Sequence, residues 1–252
     1  MYYFDSHAHY DDEKFDIDRD EILSSMNINS VSYIINAGTN IKTSKFSIEL
    51  TKKFEFIYAA VGIHPENVAE NEDISEIKRL ASQNKVVAIG EIGLDYYYDS
   101  SNKDIQKDYF IRQLILANEM NLPVIIHDRD AHGDIVNILK EHSINKKGVI
   151  HCYSGSLETA KILLNMGFYL GFGGTLTFNN AKSAPEVLKY TPLDKILIET
   201  DSPYLAPTPF RGKRNNSMYL KYVVEKIAEL KNIRPEEIAQ TTMDNAKKLF
   251  NI

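Results

Sequence analysis

Cysteine is nearly absent from the sequence: Cys152 stands alone among 252 residues, so an internal disulfide bond is excluded. The absence of disulfides is typical of proteins in a reducing compartment. Residues Met1 to His7 lack the basic start and the apolar run of a secretory signal peptide. No apolar stretch is long enough to cross a bilayer. We therefore expect a cytoplasmic protein with no membrane association.

An excess of positive charge is also missing. The sequence has 29 Lys and Arg against 35 Asp and Glu, which gives a formal net charge of −6. Non-specific coating of nucleic acid depends on many Lys and Arg contacts with phosphate, so the charge balance disfavours that function. It remains compatible with an enzyme that holds a few nucleotides locally. Nothing in the sequence indicates an obligate protein partner.

Low-complexity segments, long linkers and breaks in composition are absent, so we predict one domain over residues 1–252. Short apolar runs alternate with longer amphipathic stretches, as strand–helix units require. The eight strand candidates are Tyr2–Phe4, Val31–Asn36, Phe56–Val61, Val86–Ile89, Val124–Ile126, Gly148–Ile150, Phe168–Gly171 and Lys195–Ile198. The clearest helix candidates are Asp104–Met120, Lys161–Met166 and a last helix that opens at Arg234–Glu237.

This number of units, in a chain of this length, predicts a single-domain (β/α)₈ TIM-like barrel. An open doubly wound sheet is the alternative architecture, and periodicity alone does not separate the two. The first strand is not followed by a Gly-x-Gly-x-x-Gly turn, which counts against the doubly wound sheet.

Histidines and acids lie at the ends of the strand candidates. His7 and His9 form a His-x-His pair after the first strand, and side chains two residues apart on an extended chain point to the same side. Glu91 ends the fourth strand, between two glycines. The C-terminal ends of all strands meet at one face of a parallel barrel, so these side chains should converge. The predicted metal ligands are His7, His9, Glu91, His127, His151 and Asp201.

A histidine at a strand end is more often a hydrogen-bonded structural residue than a ligand, and one His-x-His pair is weak evidence. Five of the seven histidines, however, follow a predicted strand or lie in a short Gly/Pro loop there. The other two, His132 and His142, are expected to be ordinary surface residues in or beside a helix at Asp134–Lys140. This segregation favours a metal site.

Four histidines and two carboxylates suit Zn²⁺, Mn²⁺ or Mg²⁺. Two ions about 3.5–4 Å apart would bind the attacking and the leaving oxygen of a displacement, and would lower the pKa of a bound water towards ~7. Glu91 is the candidate to bridge two divalent ions. Asp201 is the candidate to bind one ion and to accept the proton of the water.

Several short segments together are characteristic of one family. They are Asp5–His9, Gly62–Glu66, Gly90–Tyr96, Leu122–Arg129, His151–Gly155, Glu199–Pro207 and Arg211–Asn215. Through these motifs, which keep their order over nearly the whole chain, the sequence resembles TatD-type metal-dependent deoxyribonucleases of the amidohydrolase superfamily. The resemblance implies a TIM-like barrel, a divalent metal site and phosphodiester hydrolysis.

The resemblance also implies roles for individual residues. It assigns His7, His9 and Asp201 to one ion, and His127 and His151 to the other, with Glu91 between them. It makes His64 an additional active-site histidine, nearer to the substrate than to the metal. Asn216 and Ser217 stand where the family usually has Glu-Pro, and Phe210 stands where it often has His. We expect these departures to affect loop conformation or substrate contacts.

Contacts to a phosphodiester are predicted from basic and helix-opening residues near the same strand ends. Arginine suits bidentate phosphate binding, and free N–H groups at the start of a helix bind anions. The predicted substrate contacts are Arg129, Ser154, Arg211, Lys213 and Arg214. Tyr96, Tyr97 and Tyr98 are expected mainly to pack over a loop, with stacking on a base as the alternative role. Cys152 is expected to be a small packing residue.

The leading hypothesis is a DNA hydrolase that trims strands from an end, with DNA as its substrate. The alternative is the same metal centre acting on a non-DNA ester, an amide or a lactone, including aminoacyl-RNA. A third hypothesis is a non-catalytic nucleic-acid or scaffold module. The basic cluster after strand eight favours the nuclease, because small neutral substrates need no such cluster.

Overall fold

Eight parallel strands form one sheet in which each strand is hydrogen-bonded to the next in chain order. The computed structural model describes residues 1–97 and 102–252. Within these residues the strands are β1 (Tyr3–Ala8), β2 (Val31–Ala37), β3 (Ile57–Val61), β4 (Val86–Asp95), β5 (Val124–Arg129), β6 (Val149–Ile150), β7 (Tyr169–Phe172) and β8 (Ile196–Ile198). An unbroken order from β1 to β8 is that of a barrel, so the predicted (β/α)₈ architecture is confirmed over the doubly wound alternative.

Helices lie between the strands and after the last one. In the described part of the chain they are α1 (Arg19–Ser24), α2 (Ile41–Lys53), α3 (Ile74–Ala81), α4 (Lys103–Met120), α5 (His132–Glu141), α6 (Leu157–Asn165), α7 (Ala184–Tyr190), α8 (Leu220–Lys231) and α9 (Pro235–Phe250). None of these helices is both long and apolar enough to cross a membrane.

The strands near the site are longer than their apolar runs suggest. β1 continues past Phe4 to Ala8, and β4 continues past Ile89 to Asp95. The extension of β4 is held by pairing with β5, in which Gly93 lies opposite His127. Polar residues and glycines interrupt the apolar residues in these extensions. The continuous apolar runs therefore end before the strands do.

The predicted starts of the helices agree with the structure for some helices and differ for others. α4 begins one residue before the predicted start, and the last helix begins at Pro235 as predicted. α6 begins at Leu157, earlier than the predicted Lys161, because the Ser156 hydroxyl caps it by accepting the Thr159 N–H at 3.2 Å. Tyr98 lies outside the described residues.

The barrel closes where β1 meets the segment that follows β8. Ala8 and Ser202 form a parallel bridge, and the His9 N–H donates to the Ser202 carbonyl at 2.7 Å. The Asp201 N–H donates to the His7 carbonyl at 2.9 Å. Helix α9 packs against both β1 and β8 on this side of the barrel. Backbone pairing therefore brings two predicted ligands of β1 next to Asp201.

A buried polar network reinforces this closure. Asp5 is fully buried, and its Oδ1 accepts the Thr200 N–H at 2.9 Å. Its Oδ2 accepts the Thr200 and Ser217 hydroxyls, both at 2.6 Å. Burial raises the pKa of Asp5 to about 7, against the opposing effect of these hydrogen bonds. One carboxyl group thus ties β1, the segment after β8 and the segment before α8 together.

Gly93 is required at a close approach of β4 to β5. Its φ is +143°, which side chains rarely adopt, and a Cβ there would lie 2.0 Å from the His127 carbonyl oxygen. Gly93 lies between Glu91 and Asp95 on the same strand. The close approach of the two strands therefore sets how the side chains of β4 meet His127.

We predict that Gly93→Ala lowers the free energy of unfolding by about 1–3 kcal/mol, because the methyl group meets backbone at a strained φ. Gly133→Ala is the matched control: nothing lies within 4 Å of a Cβ at this position in α5. It should raise stability by up to about 1 kcal/mol. Urea unfolding followed by circular dichroism measures both, and equal stability of the two variants would contradict the close-approach argument.

Candidate metal centre

All six predicted ligands lie together at the C-terminal ends of the barrel strands. His7 lies within β1, Glu91 within β4 and His127 within β5. The other three follow their strands: His9 comes after β1, His151 after β6 and Asp201 after β8. Five strands thus bring one or two side chains each to a single cluster.

Glu91 stands at the centre of this cluster and is 3% exposed. Its Oε2 lies 3.3 Å from His7 Nε2 and 3.4 Å from His9 Nε2. Its Oε1 lies 2.7 Å from His151 Nε2 and 2.9 Å from His127 Nδ1. The two oxygens of one carboxylate therefore face two different pairs of histidines.

Asp201 joins the first of these pairs. Its Oδ1 lies 3.7 Å from His7 Nε2 and 3.4 Å from His9 Nε2. The Asp201 side chain is 16% exposed, more than that of Glu91, and it lines the cavity above the cluster. It is thus the ligand carboxylate with better access from the cavity.

The donor atoms fit divalent cations. Three groups have ligand atoms within 4.8 Å of one another: His7 with His9 and Asp201, His7 with Glu91 and His151, and His64 with Glu91 and His127. Ring nitrogens also face each other, with His7 Nε2 at 2.9 Å from His9 Nε2 and His127 Nδ1 at 3.3 Å from His151 Nε2. Two ring nitrogens at these distances either share one N–H between them or direct both lone pairs at a common cation. Imidazole and carboxylate together suit zinc, manganese or magnesium.

The electrostatics of the cluster also favour a cation. Burial raises the pKa of Glu91, but the nearby histidines, His151 and His64 foremost, outweigh burial and hold it well below its usual range. Burial lowers the pKa of His127, and hydrogen bonds with Asp95 and Glu91 overcome this and raise it to about 8. Burial lowers the pKa of His64. A carboxylate that stays ionised while almost excluded from water attracts positive charge to its position.

Two acids lie behind the histidine ligands, and the nearer one, Asp95, orients the ring of His127. Asp95 Oδ2 lies 2.9 Å from His127 Nε2, on the side of the ring opposite Glu91. Glu199 Oε1 lies 3.5 Å from His151 Nδ1. A carboxylate on the far nitrogen fixes the tautomer and orientation of a metal-binding imidazole. Neither acid was predicted from the sequence to have a role, although Asp95 is four residues after Glu91 on one strand and therefore on the same face.

His64 caps the short 3₁₀ segment Pro65–Glu70, and its Nδ1 accepts the Glu66 N–H at 3.2 Å. The proton of the neutral ring is therefore on Nε2, which lies 3.5 Å from Glu91 Oε1. The ring also meets His127 edge to face, with centroids 4.4 Å apart. His64 thus lies beside the cluster of predicted metal ligands and also lines the cavity. Its closeness to substrate stays a prediction.

His132 differs from the expectation for a surface residue. It begins α5, and its side chain is 29% exposed. Its Nδ1 lies 2.7 Å from Asp128 Oδ2, and this hydrogen bond raises the pKa of His132. Asp128 directly follows His127, so the pair supports the end of β5.

A cavity of about 1150 Å³ opens above the metal cluster. Arg129 and Ser154, two of the predicted substrate contacts, line it. The charged lining residues among those described are mostly acidic: Asp11, Asp12, Glu13, Glu66, Glu91, Asp95, Asp128 and Asp201, against Lys42 and Arg129. Unless cations are bound, this lining repels a phosphodiester.

The structure places the basic cluster of the loop after β8 outside the described cavity lining. Arg214 pairs with Asp18 at 2.5 Å, and its guanidinium lies 4.8 Å from the Phe15 ring centroid. Arg211 lies over the ring of Phe178 at 4.2 Å. Arg214 thus holds the loop against the segment before α1, and a phosphate contact from Arg211, Lys213 or Arg214 stays a prediction.

Residues 4–251 match a family described as TatD related DNase. The chain is 50% identical over 252 residues to the uncharacterized metal-dependent hydrolase YabD of Bacillus subtilis, with 99% of each chain covered. It is 40% identical over 256 residues to the uncharacterized metal-dependent hydrolase YcfH of Escherichia coli, with 100% of this chain and 97% of the relative covered.

The fold is similar to a solved structure along the same length. The crystal structure of YjjV, a TatD homolog from Escherichia coli, superposes with a TM-score of 0.94 at 32% identity, covering 99% of this chain and 98% of the other. The match over nearly all of the chain, together with the metal cluster, confirms the resemblance. The chain belongs to the TatD family of metal-dependent hydrolases.

Proposed function

We propose that this metal-dependent hydrolase cleaves phosphodiester bonds of DNA with two divalent ions, removing nucleotides from a strand end. The observation that carries the proposal is the central position of Glu91. Its Oε2 faces His7 and His9, and its Oε1 faces His127 and His151. One bridging carboxylate between two sets of ligands is the arrangement that in-line displacement at phosphorus uses.

Each set of ligands has its own position in this proposal. His7, His9 and Asp201 would hold one ion and His127 and His151 the other, with Glu91 between them. Bound ions would supply Lewis acidity, which polarises a phosphodiester and makes water more acidic. Asp95 holds the ring of His127 in place, and Glu199 lies behind His151.

Asp201 acts as the general base. Burial raises its pKa, and the hydrogen bond with His9 together with the charges of His151 and His7 outweighs burial and keeps the pKa low. The carboxylate is therefore ionised at neutral pH and reaches the cavity. It takes a proton from the attacking water. His64 presents its Nε2–H beside Glu91 and orients the scissile group.

The depth of the metal cluster supports action at a strand end. His7 is fully buried and Glu91 is 3% exposed, so the cluster lies at the bottom of the cavity. A duplex has its phosphates on the outside of a wide cylinder, whereas the end of a single strand is narrow enough to bring one phosphodiester to buried ligands. We therefore infer that a strand end fits this site better than the middle of a duplex.

The acidic cavity favours a second candidate, hydrolysis of a non-DNA ester, an amide or a lactone that carries little negative charge near the reacting bond and needs no basic loop. Aminoacyl-RNA belongs to this alternative through its ester bond, although its phosphates meet the same acidic lining as those of DNA. The position of Arg214 against Asp18 removes one of the cations that favoured DNA. The relatives are named only as metal-dependent hydrolases, and the family description names a DNase.

Glu91→Ala should reduce bound metal from two ions per chain to one or none and nearly abolish hydrolysis, because the bridging carboxylate is lost. The fold should remain, as judged by circular dichroism, since one side chain leaves a polar cluster. Metal content is measured by elemental analysis after dialysis against Mn²⁺. Glu229→Ala, an exposed acid paired with Lys226, is the control and should keep both ions. Normal metal content in Glu91→Ala would contradict the bridging role.

Asp201→Asn should lower kcat by about 10²–10⁴-fold and change KM for an oligonucleotide much less. The two side chains have the same shape, but only the carboxylate accepts a proton. Steady-state kinetics at saturating Mn²⁺ measure both constants. A kcat that returns to the wild-type value at saturating Mn²⁺ would show that Asp201 serves metal binding alone.

The Arg211→Ala/Lys213→Ala double variant separates the two candidate functions. If DNA is the substrate and these residues contact it, KM for an oligonucleotide rises, and the slope of log K against log salt falls by about 0.7–0.9 for each lost contact. Arg214 is left in place because it anchors the loop. Its pair is tested separately with Asp18→Asn, which should affect stability and not the salt slope.

An unchanged KM and salt slope, together with poor hydrolysis of DNA by the wild type under Mg²⁺, Mn²⁺ and Zn²⁺, would overturn the nuclease in favour of the second candidate.

A further inference from the structure

An aromatic ring on α2 is exposed inside a cavity whose charged lining residues are mostly acidic. Phe46 lines the cavity and is 37% exposed. Lys42 lies one helical turn before it and also lines the cavity, so the two side chains share one face of α2. An apolar ring next to an ammonium group is unexpected in a wall whose other charges are mostly acidic.

The ring of Phe46 is held in place from outside α2. The Arg19 guanidinium lies 4.7 Å from its centroid. Arg19 is itself fixed, because it donates to the carbonyls of Tyr10 and Asp12 and pairs with Asp16 at 2.6 Å. The Arg19 side chain is only 14% exposed. Phe46 is therefore positioned in advance, with much of its surface still open.

We propose that Phe46 and Lys42 form a nucleotide subsite, in which a nucleobase stacks on Phe46 and an adjacent phosphate pairs with Lys42. This inference rests on the proposed function and names where the substrate strand lies beside the scissile bond. Stacking on an aromatic side chain stabilises a bound base by about 1–3 kcal/mol and tolerates any base. The ammonium of Lys42 supplies a point charge for phosphate.

The charge of the cavity explains why such a subsite matters. Lys42 and Arg129 are the two basic side chains among the described lining residues. Phosphates away from the metal cluster therefore have few partners, and stacking supplies binding energy that charge does not. The subsite holds a base of the strand and leaves the metal cluster to hold the scissile phosphate.

Tyr204 is a second exposed ring of the cavity lining, but its hydroxyl donates to Asp12 and the Lys14 ammonium lies over it. Phe46 is therefore the lining ring without a polar group of its own among the described residues. Position in the cavity distinguishes Phe46 from exposed rings elsewhere that have a cation over them. Tyr190 at the end of α7 is 50% exposed and has the Lys161 ammonium 5.3 Å from its centroid. It does not line the cavity within the described residues. Tyr190→Ala is therefore a matched control for loss of an exposed ring beside a cation.

The test measures binding of a fluorescein-labelled pentathymidine phosphorothioate to the Mg²⁺-loaded protein by fluorescence anisotropy. Phe46→Ala should weaken binding about 5- to 150-fold, which corresponds to the loss of one stacked base. Phe46→Trp should retain binding, and Tyr190→Ala should leave it unchanged. Lys42→Ala should reduce the salt slope by about 0.7, the value for one contact with a single strand.

Strands with one abasic residue identify the stacked base. In the wild type, one abasic position should weaken binding as much as Phe46→Ala does. In Phe46→Ala, the same abasic strand should bind no more weakly than the intact one. Phe46→Leu keeps apolar bulk but removes the aromatic ring. Weaker binding by this variant at an unchanged melting temperature shows loss of stacking and not loss of fold.

Failure of the subsite and failure of the nuclease give different results. Equal binding by the wild type and Phe46→Ala, or additive losses from Phe46→Ala and the abasic strand, overturns the subsite whatever the activity. Weaker binding by Phe46→Ala, without hydrolysis of DNA by the wild type under any metal, supports the subsite and overturns the nuclease alone.

Discussion

The negative charge of Glu91 is held where water is almost excluded, and the rest of the site is arranged around that charge. A lone buried carboxylate is unstable and would take up a proton. Here His7, His9, His127 and His151 surround it at 2.7–3.4 Å. The facing ring nitrogens of each pair are placed to direct lone pairs at a common cation, and a metal ion bound between the groups would compensate the charge of Glu91.

The barrel supplies the rigidity that this arrangement needs. Backbone hydrogen bonds between His7 and Asp201 and between His9 and Ser202 fix one side of the cluster at the closure of the barrel. The approach of Gly93 to the His127 carbonyl fixes the other side. Asp95 then orients the His127 ring from behind. The ligands are thus held by main-chain pairing, which is stiffer than the loops that follow the strands.

The same charges restrict what the cavity can bind. Its described lining has many acids and two basic side chains, so a polyanion gains little from it before the ions are in place. In the proposed nuclease, recognition would depend on bound ions for the reacting phosphate and on contacts such as Phe46 for the remainder of the strand. This division would fit a short single-stranded segment better than a duplex, whose recognition rests mainly on phosphate contacts along its length.

The sequence by itself determined the number and order of the strands and the identity of the clustered side chains. His7, His9, Glu91, His127, His151 and Asp201 were predicted because polar residues at strand ends meet at one face of a parallel barrel. Strand ends were missed at Phe4 and Ile89, because pairing between neighbours extends a strand through glycines and acids that no apolar run marks.

Only the tertiary structure decided the partners of those side chains. Asp95 orients His127, Glu199 lies behind His151, Arg214 pairs with Asp18, and Arg19 holds Phe46 at the cavity. These contacts join residues from different strands and loops, and their formation depends on distances that close only when the barrel forms. A local pattern specifies which side of a strand a residue occupies, whereas the charge or ring that it meets there is set by the fold.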